Sequence, residues 1–432
     1  MHKYWEKKSQ EEIKAIVFGA LEKNINYDQQ HALGVPASYL DDKVFNQDAT
    51  FIKDAPFISA LVQNPNHIGC HTLGKSEPFF IGTQSIEQEL IEICAVDILK
   101  GEPHQQDGYV ASGGTEANMQ AIWVYRNYFM HERSASRDEI CIICSQDSHY
   151  SMDKAANVLA LDIYKTEVSN ATREISLDGV KKTIEQATQD GKKHFIVICN
   201  MMTTMFGSVD DVDVYVQALE EMSCDYKLHV DGAYGGFYYP FTDEESKLTF
   251  QNPNITSFTL DAHKMAQAPY GTGIFLIRKN LIQHANTQQA SYVEGEDFTL
   301  IGSRSGANAV SVWMILVKNG PFGWHEKIFI LQKRAEWMCK QLEQLNIQFY
   351  RHPMSNIITI RSSSISGSIE LLLIVIIRSS SIDPEIALKF GLVPDNHSQP
   401  EWYKIVIMEH VIIEKLNMLI SELKMSKASI KP

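Results

Sequence analysis

Lys227-Leu228-His229-Val230-Asp231-Gly232-Ala233-Tyr234-Gly235-Gly236 decides the architecture. A short apolar run stops on an acid and passes straight into small residues. Such a segment reads as a buried strand whose carboxyl end opens into a turn. In an open α/β sheet, ligands sit beyond the carboxyl ends of the strands, so Asp231 is expected to point into a site. Its bland alternative is an aspartate that only caps a turn.

Runs of the same kind recur on both sides. Ile140 to Cys144, Phe195 to Cys199, Ser257 to Leu260 and Gly273 to Ile277 are short and continuously apolar, as strands covered on both faces are. Between and around them, helical periodicity marks Ile86 to Leu99, Thr115 to Met130, Met152 to Ala160, Leu177 to Gln189 and Val214 to Met222. The expected class is therefore α/β, a mainly parallel sheet sandwiched by helices. After about residue 305 two helical stretches, Asn308 to Lys318 and Trp324 to Leu345, lead into short strands and a last helix from Val411 onward. We expect a helical arm over 1–60, lying over a partner subunit, a large unit over 61–305, and a smaller α+β unit over 306–432.

With 39 basic and 53 acidic residues the formal net charge is −14. A surface of that sign repels nucleic acid and anionic lipid, and neither is an expected partner. The N-terminus lacks the apolar core of a signal peptide. Ile369 to Ile377, the longest apolar run, falls far short of the roughly 20 residues that span a bilayer. A soluble, cytoplasmic protein is expected. Seven scattered cysteines agree with that. The pair in Cys141-Ile142-Ile143-Cys144 lies in a strand-like run, where positions three apart face opposite ways; this predicts buried core cysteines, with no metal ligated. Ile-Arg-Ser-Ser-Ser-Ile occurs at Ile360–Ile365 and again at Ile377–Ile382, and carries no functional reading.

Two further segments join Asp231. Ser112-Gly113-Gly114-Thr115-Glu116-Ala117-Asn118 stands directly before a helix. Glycines admit close backbone approach, and free amides at a helix start attract an anion. The segment matches neither of the common nucleotide loops, G-x-x-x-x-G-K-[ST] and G-x-G-x-x-G. Ser257-Phe258-Thr259-Leu260-Asp261-Ala262-His263-Lys264 is a strand that runs into a histidine–lysine pair. Separately these are a plain N-cap turn and a snorkelling lysine. Together, an anion cradle, a strand-end acid and an amine are what pyridoxal 5′-phosphate requires. Its phosphate needs donors, its ring nitrogen a carboxylate, and its aldehyde an amine nucleophile.

The ordered set Ser112–Asn118, Asp147–Ser151 (Asp-Ser-His-Tyr-Ser), His229–Gly236, Asp261–Met265 and Gly302–Ala307 (Gly-Ser-Arg-Ser-Gly-Ala) resembles the group II pyridoxal-phosphate-dependent amino-acid decarboxylases. That family includes the compact tyrosine/aspartate and histidine decarboxylases and is related to the sphingosine-1-phosphate lyases. The resemblance runs from about Pro65 to Gly306 and weakly into Trp402–Val411. It implies a fold-type I homodimer with shared active sites and pyridoxal phosphate bound as a Schiff base on Lys264. Asp231 would pair with the ring nitrogen, and Ala233 would pack beneath the ring. His149 would stack on its other face and shuttle protons. Gly114, Thr115 and His263 would hold the phosphate, which Ser303 would reach from the neighbouring subunit. Thr203 or Thr204 would stand near the cofactor's 3-oxygen, with Thr204 the one carried forward. Asp261 occupies a position where many relatives carry asparagine. Tyr292 is the local counterpart of a loop tyrosine that delivers a proton.

The implied reaction is decarboxylation of an L-amino acid with an aromatic or histidine-like side chain. Its rivals are a carbon–carbon lyase, an aldehyde-forming relative and a non-catalytic scaffold. Arg304, Arg361 and Arg378 are the cations weighed for an anionic substrate group.

Overall fold

The fold is given by a computed structural model that describes residues 5–27, 29–30, 40–41, 44–45, 49–74, 77–242, 245–285, 297–363 and 381–430, the last two without side chains. Helix α1 (Gln10–Lys23) opens with a reciprocal cap: Ser9 Oγ accepts from the Glu12 amide at 3.2 Å and Glu12 accepts from the Ser9 amide at 2.7 Å. That pairing satisfies amides which a helix start leaves bare. Next come α2 (Pro56–Gln63), a short strand β1 (Asn66–Ile68) and α3 (Ile81–Glu92), which continues through a π-helical turn at Ile93–Ile98.

The alternating region then begins with β2 (Gln106–Ala111), α4 (Gly114–Glu132), β3 (Ile140–Ser145), α5 (Ser151–Leu159), β4 (Asp162–Thr166) and α6 (Leu177–Gln189). It closes with β5 (His194–Asn200), α7 (Val212–Glu221), β6 (Asp225–Gly232), β7 (Ile255–Asp261) and β8 (Gly273–Arg278). These form a seven-stranded sheet ordered β2-β8-β7-β6-β5-β3-β4. β8 pairs antiparallel on both sides, and the other pairings are parallel. Every residue of β2 and β3 is buried, the two-sided coverage that continuous apolar runs require. One hydrophobic core fills the face shared with α1, α3, α6 and α7, and a second fills the face under α4 and α5. Cys141 belongs to the first and Cys144 to the second, the opposite-face placement that strand geometry dictates.

Strand β9 (Ser303–Ser305) pairs antiparallel with β1 and leads into α8 (Gly306–Gln344). The two helical stretches read from the sequence are one helix broken at Gly320, whose φ of 65° and ψ of 174° leave helical space. Pro321 has no N–H to give the Val317 carbonyl. The Lys8 amide supplies the missing donor at 2.8 Å, and Trp5 Nε1 donates to Leu316 O at 2.8 Å. A Cβ at Gly320 would stand 2.5 Å from Lys7 Cβ, so only glycine fits under this plug. The N-terminal segment, expected over a partner, packs here against its own chain.

Residues of α8 as far as Leu331 join the first core, and those from Ala335 onward join a third. That third core lies under a four-stranded antiparallel sheet of β10 (Phe349–Tyr350), β11 (Ile357–Arg361), β12 (Val393–Pro394) and β13 (Trp402–Val406), ordered β10-β11-β13-β12. Helices α9 (Pro384–Lys389) and α10 (Ile413–Ile430) complete the unit. Half of the two Ile-Arg-Ser-Ser-Ser-Ile copies, and the run between them, lie outside the described residues; among the described ones Ser362 and Ile382 form a parallel bridge. Among the described residues, no helix is long and apolar enough to cross a membrane.

Candidate active site

Parallel strands deliver their carboxyl ends to one edge of the sheet. Gly113 and Gly114 follow β2, His149 follows β3, Thr203 and Thr204 follow β5, and Asp231 and Asp261 end β6 and β7. Antiparallel β8 starts at the same edge. The Gly114 amide donates to Asp261 Oδ2 at 3.1 Å. A Cβ on Gly114 would meet that oxygen at 3.0 Å and Ala233 Cβ at 3.1 Å. The start of α4 thus lies directly against Ala233 and Asp261, and glycine permits the approach.

Asp261 organises the lysine segment. Its Oδ1 lies 2.7 Å from His263 Nδ1, and its Oδ2 lies 3.7 Å from Lys264 Nζ. Burial pushes the Asp261 carboxyl up, against the opposing pull of Lys264 and His263. The Lys264 side chain is about one-third exposed, so its amine is reachable from solvent.

Asp231 is 7% exposed. Its Oδ1 accepts from the Ala233 amide at 3.0 Å, and its Oδ2 accepts from Asn118 Nδ2 at 3.0 Å. Across the site, His149 Nδ1 lies 2.9 Å from Ser151 Oγ and accepts from the Ser151 amide at 3.2 Å. A nitrogen that accepts an amide carries no proton, so the neutral ring holds its hydrogen on Nε2. Burial lowers the His149 pKa, with Asp231 opposing. The exposed ring of Tyr150 stands 4.1 Å from the His149 ring, and that of Tyr270 stands 4.9 Å from His263.

The two threonines left open by the sequence separate cleanly. Thr203 is buried in a tight turn, its Oγ1 2.7 Å from Ser208 Oγ. Thr204 is exposed, and its carbonyl accepts from Lys404 Nζ at 2.9 Å. Lys404, on β13, is a cation that the sequence reading passed over. Burial and the like charge of Lys264 lower its pKa.

Other expected residues lie elsewhere. Ser303 faces outward, with Asn66 Nδ2 3.2 Å from its Oγ. Arg304 is withdrawn from any substrate: its guanidinium lies 2.6 Å from Glu87 Oε1, donates to Val110 O at 3.0 Å and also bonds Gly69 O. Burial alone would raise the Glu87 carboxyl, but Arg304 and His67 outweigh it and hold it well below the usual range. The buried cluster His67, His71 and Glu87 has metal-ligand residue types, yet Glu87 is already occupied by Arg304, His67 and the Val110 amide. Arg361 pairs with Glu401 at 3.1 Å on the surface of the small unit. Tyr292 and Arg378 lie outside the described residues.

These residues fit pyridoxal phosphate. A helix start held open by Gly114, a reachable amine, a buried carboxylate and an imidazole with a fixed proton meet at one sheet edge. Sequence comparison decides the family. Residues 83–352 match the pyridoxal-dependent decarboxylase conserved domain. This chain belongs to the pyridoxal-dependent decarboxylase family.

The decarboxylase is 48% identical to the tryptophan decarboxylase of Clostridium sporogenes, over 98% of this chain and 97% of that protein. It is 28% identical to a probable L-tyrosine/L-aspartate decarboxylase of Methanocella arvoryzae, over 73% and 83% of the two chains. Its fold superposes on the sphingosine-1-phosphate lyase of Burkholderia pseudomallei with a TM-score of 0.67 at 16% identity, covering 99% of this chain and 92% of that one. The last likeness establishes the fold-type I architecture alone. The protein is thus a pyridoxal-phosphate-dependent amino-acid decarboxylase.

Proposed function

We propose that this decarboxylase acts on an aromatic L-amino acid, tryptophan foremost, and releases carbon dioxide and the matching amine. What supports the substrate is the 48% identity to a tryptophan decarboxylase along nearly the whole of both chains. The exposed rings of Tyr150 and Tyr270 beside His149 and His263 supply apolar surface for an aromatic side chain.

Lys264, its amine reachable, would hold the cofactor at its aldehyde. Asp231 would pair with the ring nitrogen, and Ala233 would pack against the ring. Gly114, Thr115 and His263 would hold the phosphate, joined by Ser303 of the second subunit of a homodimer. Asp261 orients His263 and Lys264, and the exposed Thr204 contributes its hydroxyl. Bound pyridoxal phosphate supplies an electron sink for the pair left behind as carbon dioxide departs. His149 would lie over the ring and offer the proton on its Nε2, with Lys264 and Tyr292 as further proton carriers. Lys404 steadies the substrate carboxylate through an ammonium already shared with the Thr204 carbonyl, so the carboxylate is held without being fully neutralised. A cytoplasmic location accords with seven unpaired cysteines.

Incubating the holoenzyme with single amino acids, and measuring carbon dioxide and amine, tests the substrate. Tryptophan should exceed aspartate and glutamate in kcat/KM by about a hundredfold or more. An enzyme that prefers an acidic side chain refutes the proposal. Light scattering should return twice the 48.9 kDa of one chain.

A further inference from the structure

Behind Asp231 lies a row of buried polar groups that the roles above leave unused. The order of donors along it follows from a few elementary constraints. A carboxylate only accepts, so the Asn118 amide turns its NH2 toward Asp231 Oδ2, 3.0 Å away. Its Oδ1 then faces His229 Nε2 at 3.0 Å, which must carry the hydrogen. His229 is fully buried and its pKa is lowered to about 4, so the ring is neutral and Nδ1 is bare. Nδ1 accepts from the Ser257 hydroxyl at 2.6 Å, and Ser257 Oγ accepts in turn from the Tyr125 hydroxyl. The Tyr125 hydrogen is shared with Thr256 Oγ1, 2.6 Å away, which gives its own hydrogen to Leu228 O at 2.8 Å. Thr259 Oγ1 lies 3.2 Å from His229 Nε2 and shares that hydrogen.

Every bond between side chains in the row from Tyr125 to Asp231 therefore points toward Asp231, and Tyr125, Ser257, His229 and Asn118 are each buried. The amide branches as well. Asn118 Nδ2 lies 3.1 Å from Ser151 Oγ, whose hydroxyl is 2.9 Å from His149 Nδ1. A single amide thus touches the carboxylate on one side and, through one serine, the imidazole on the other.

We infer that Asn118 is a positioning residue for decarboxylation: oriented by His229, it keeps the Asp231 carboxylate aimed, and through Ser151 it keeps the His149 proton on Nε2. The inference rests on the reading of Asp231 and His149 as the groups that face the cofactor ring. A carboxylate in a buried site relies on such donors, because charge-assisted bonds there replace lost water.

Four variants test it: Asn118→Leu, His229→Leu, His229→Gln and Asp231→Ala. The readouts are the pyridoxal phosphate dissociation constant of the apoenzyme by fluorescence titration, its Tm, and kcat and KM. Asn118→Leu should weaken cofactor binding about tenfold and lower kcat about ten- to a hundredfold with KM little changed. His229→Leu should follow it. His229→Gln restores an N–H where Nε2 stood, and should recover about tenfold over His229→Leu in both quantities. The inference falls if Asn118→Leu binds cofactor and turns over like wild type. It also falls if glutamine at 229 rescues nothing, since a merely structural histidine would give equal losses. If Asn118→Leu does not fold, the two His229 variants decide. Asp231→Ala separates the underlying reading: wild-type cofactor affinity and kcat there overturn both, whereas collapse there with an unaffected Asn118→Leu overturns this inference alone.

Discussion

The Arg304 guanidinium lies 2.6 Å from Glu87 Oε1, with both side chains almost wholly buried. Glu87 also accepts from the Val110 amide at 2.7 Å and lies 2.5 Å from His67 Nδ1. One carboxylate on α3 thereby fixes β1, β2 and β9 relative to one another. The Gly-Ser-Arg-Ser-Gly-Ala segment owes its place to this pair, and Arg304 is structural.

Removing one partner strands the other charge in the interior. Glu87→Ala should cost about 3–5 kcal/mol of stability. Arg361→Met, which breaks an exposed pair, should stay within about 0.5 kcal/mol of wild type. Urea denaturation of both variants checks the contrast.

Lys264→Ala should abolish the adduct that borohydride traps and leave less than about a thousandth of wild-type kcat. Absorbance of the reconstituted protein and mass spectrometry after reduction report it. A trapped adduct on another residue would displace Lys264 from its role.

Asp231→Ala should lower kcat by more than about a hundredfold while KM changes far less, because the carboxylate acts on the cofactor's electron demand and not on substrate contacts. Steady-state kinetics at saturating cofactor measures the split.

His229 gives stability a pH signature. Its native pKa near 4 lies below the ordinary 6.5, so between those values the unfolded chain takes a proton that the native state refuses. Stability is fully present above about pH 6.5 and is lost as pH falls toward 4. Relative to His229→Gln, wild type should lose at most about 1.4 kcal/mol per pH unit across that window. Buried His67 and Asp210 titrate in both proteins and cancel in the difference.

Gly320→Ala should cost about 2–4 kcal/mol, since alanine at φ 65° is strained and its Cβ would stand 2.5 Å from Lys7 Cβ. Trp5→Phe should cost about 1 kcal/mol through loss of the bond to Leu316 O. Thermal melts of each variant provide the comparison.

The strands most readable from sequence were those buried on both faces, because their apolar runs are unbroken. β2 opens on Gln106-Asp107-Gly108, and β4, at the sheet edge, mixes exposed Asp162 and Lys165 with buried Thr166; neither carries that pattern. Asp231, Asp261 and Lys264 were legible because each ends or follows such a run. Asn118 carries no such signal, since an asparagine near the start of a helix looks like a surface residue until Asp231 is placed 113 positions away. Lys404 was hidden for a similar reason: its neighbours read as a small-unit strand, and only the tertiary fold brings it to Thr204. Nothing in the chemistry of two adjacent threonines tells Thr203 from Thr204; a buried turn does.

The plug at Gly320 has a temporal side. Trp5 and its acceptor Leu316 are 311 residues apart. At ribosomal rates of about 5–20 residues per second, the indole emerges on the order of 15–60 s before its partner is synthesised. Until then the first segment of the chain has an apolar ring and no place to put it, so nascent chains stalled short of Leu316 should be the species that chaperones hold and proteases cut.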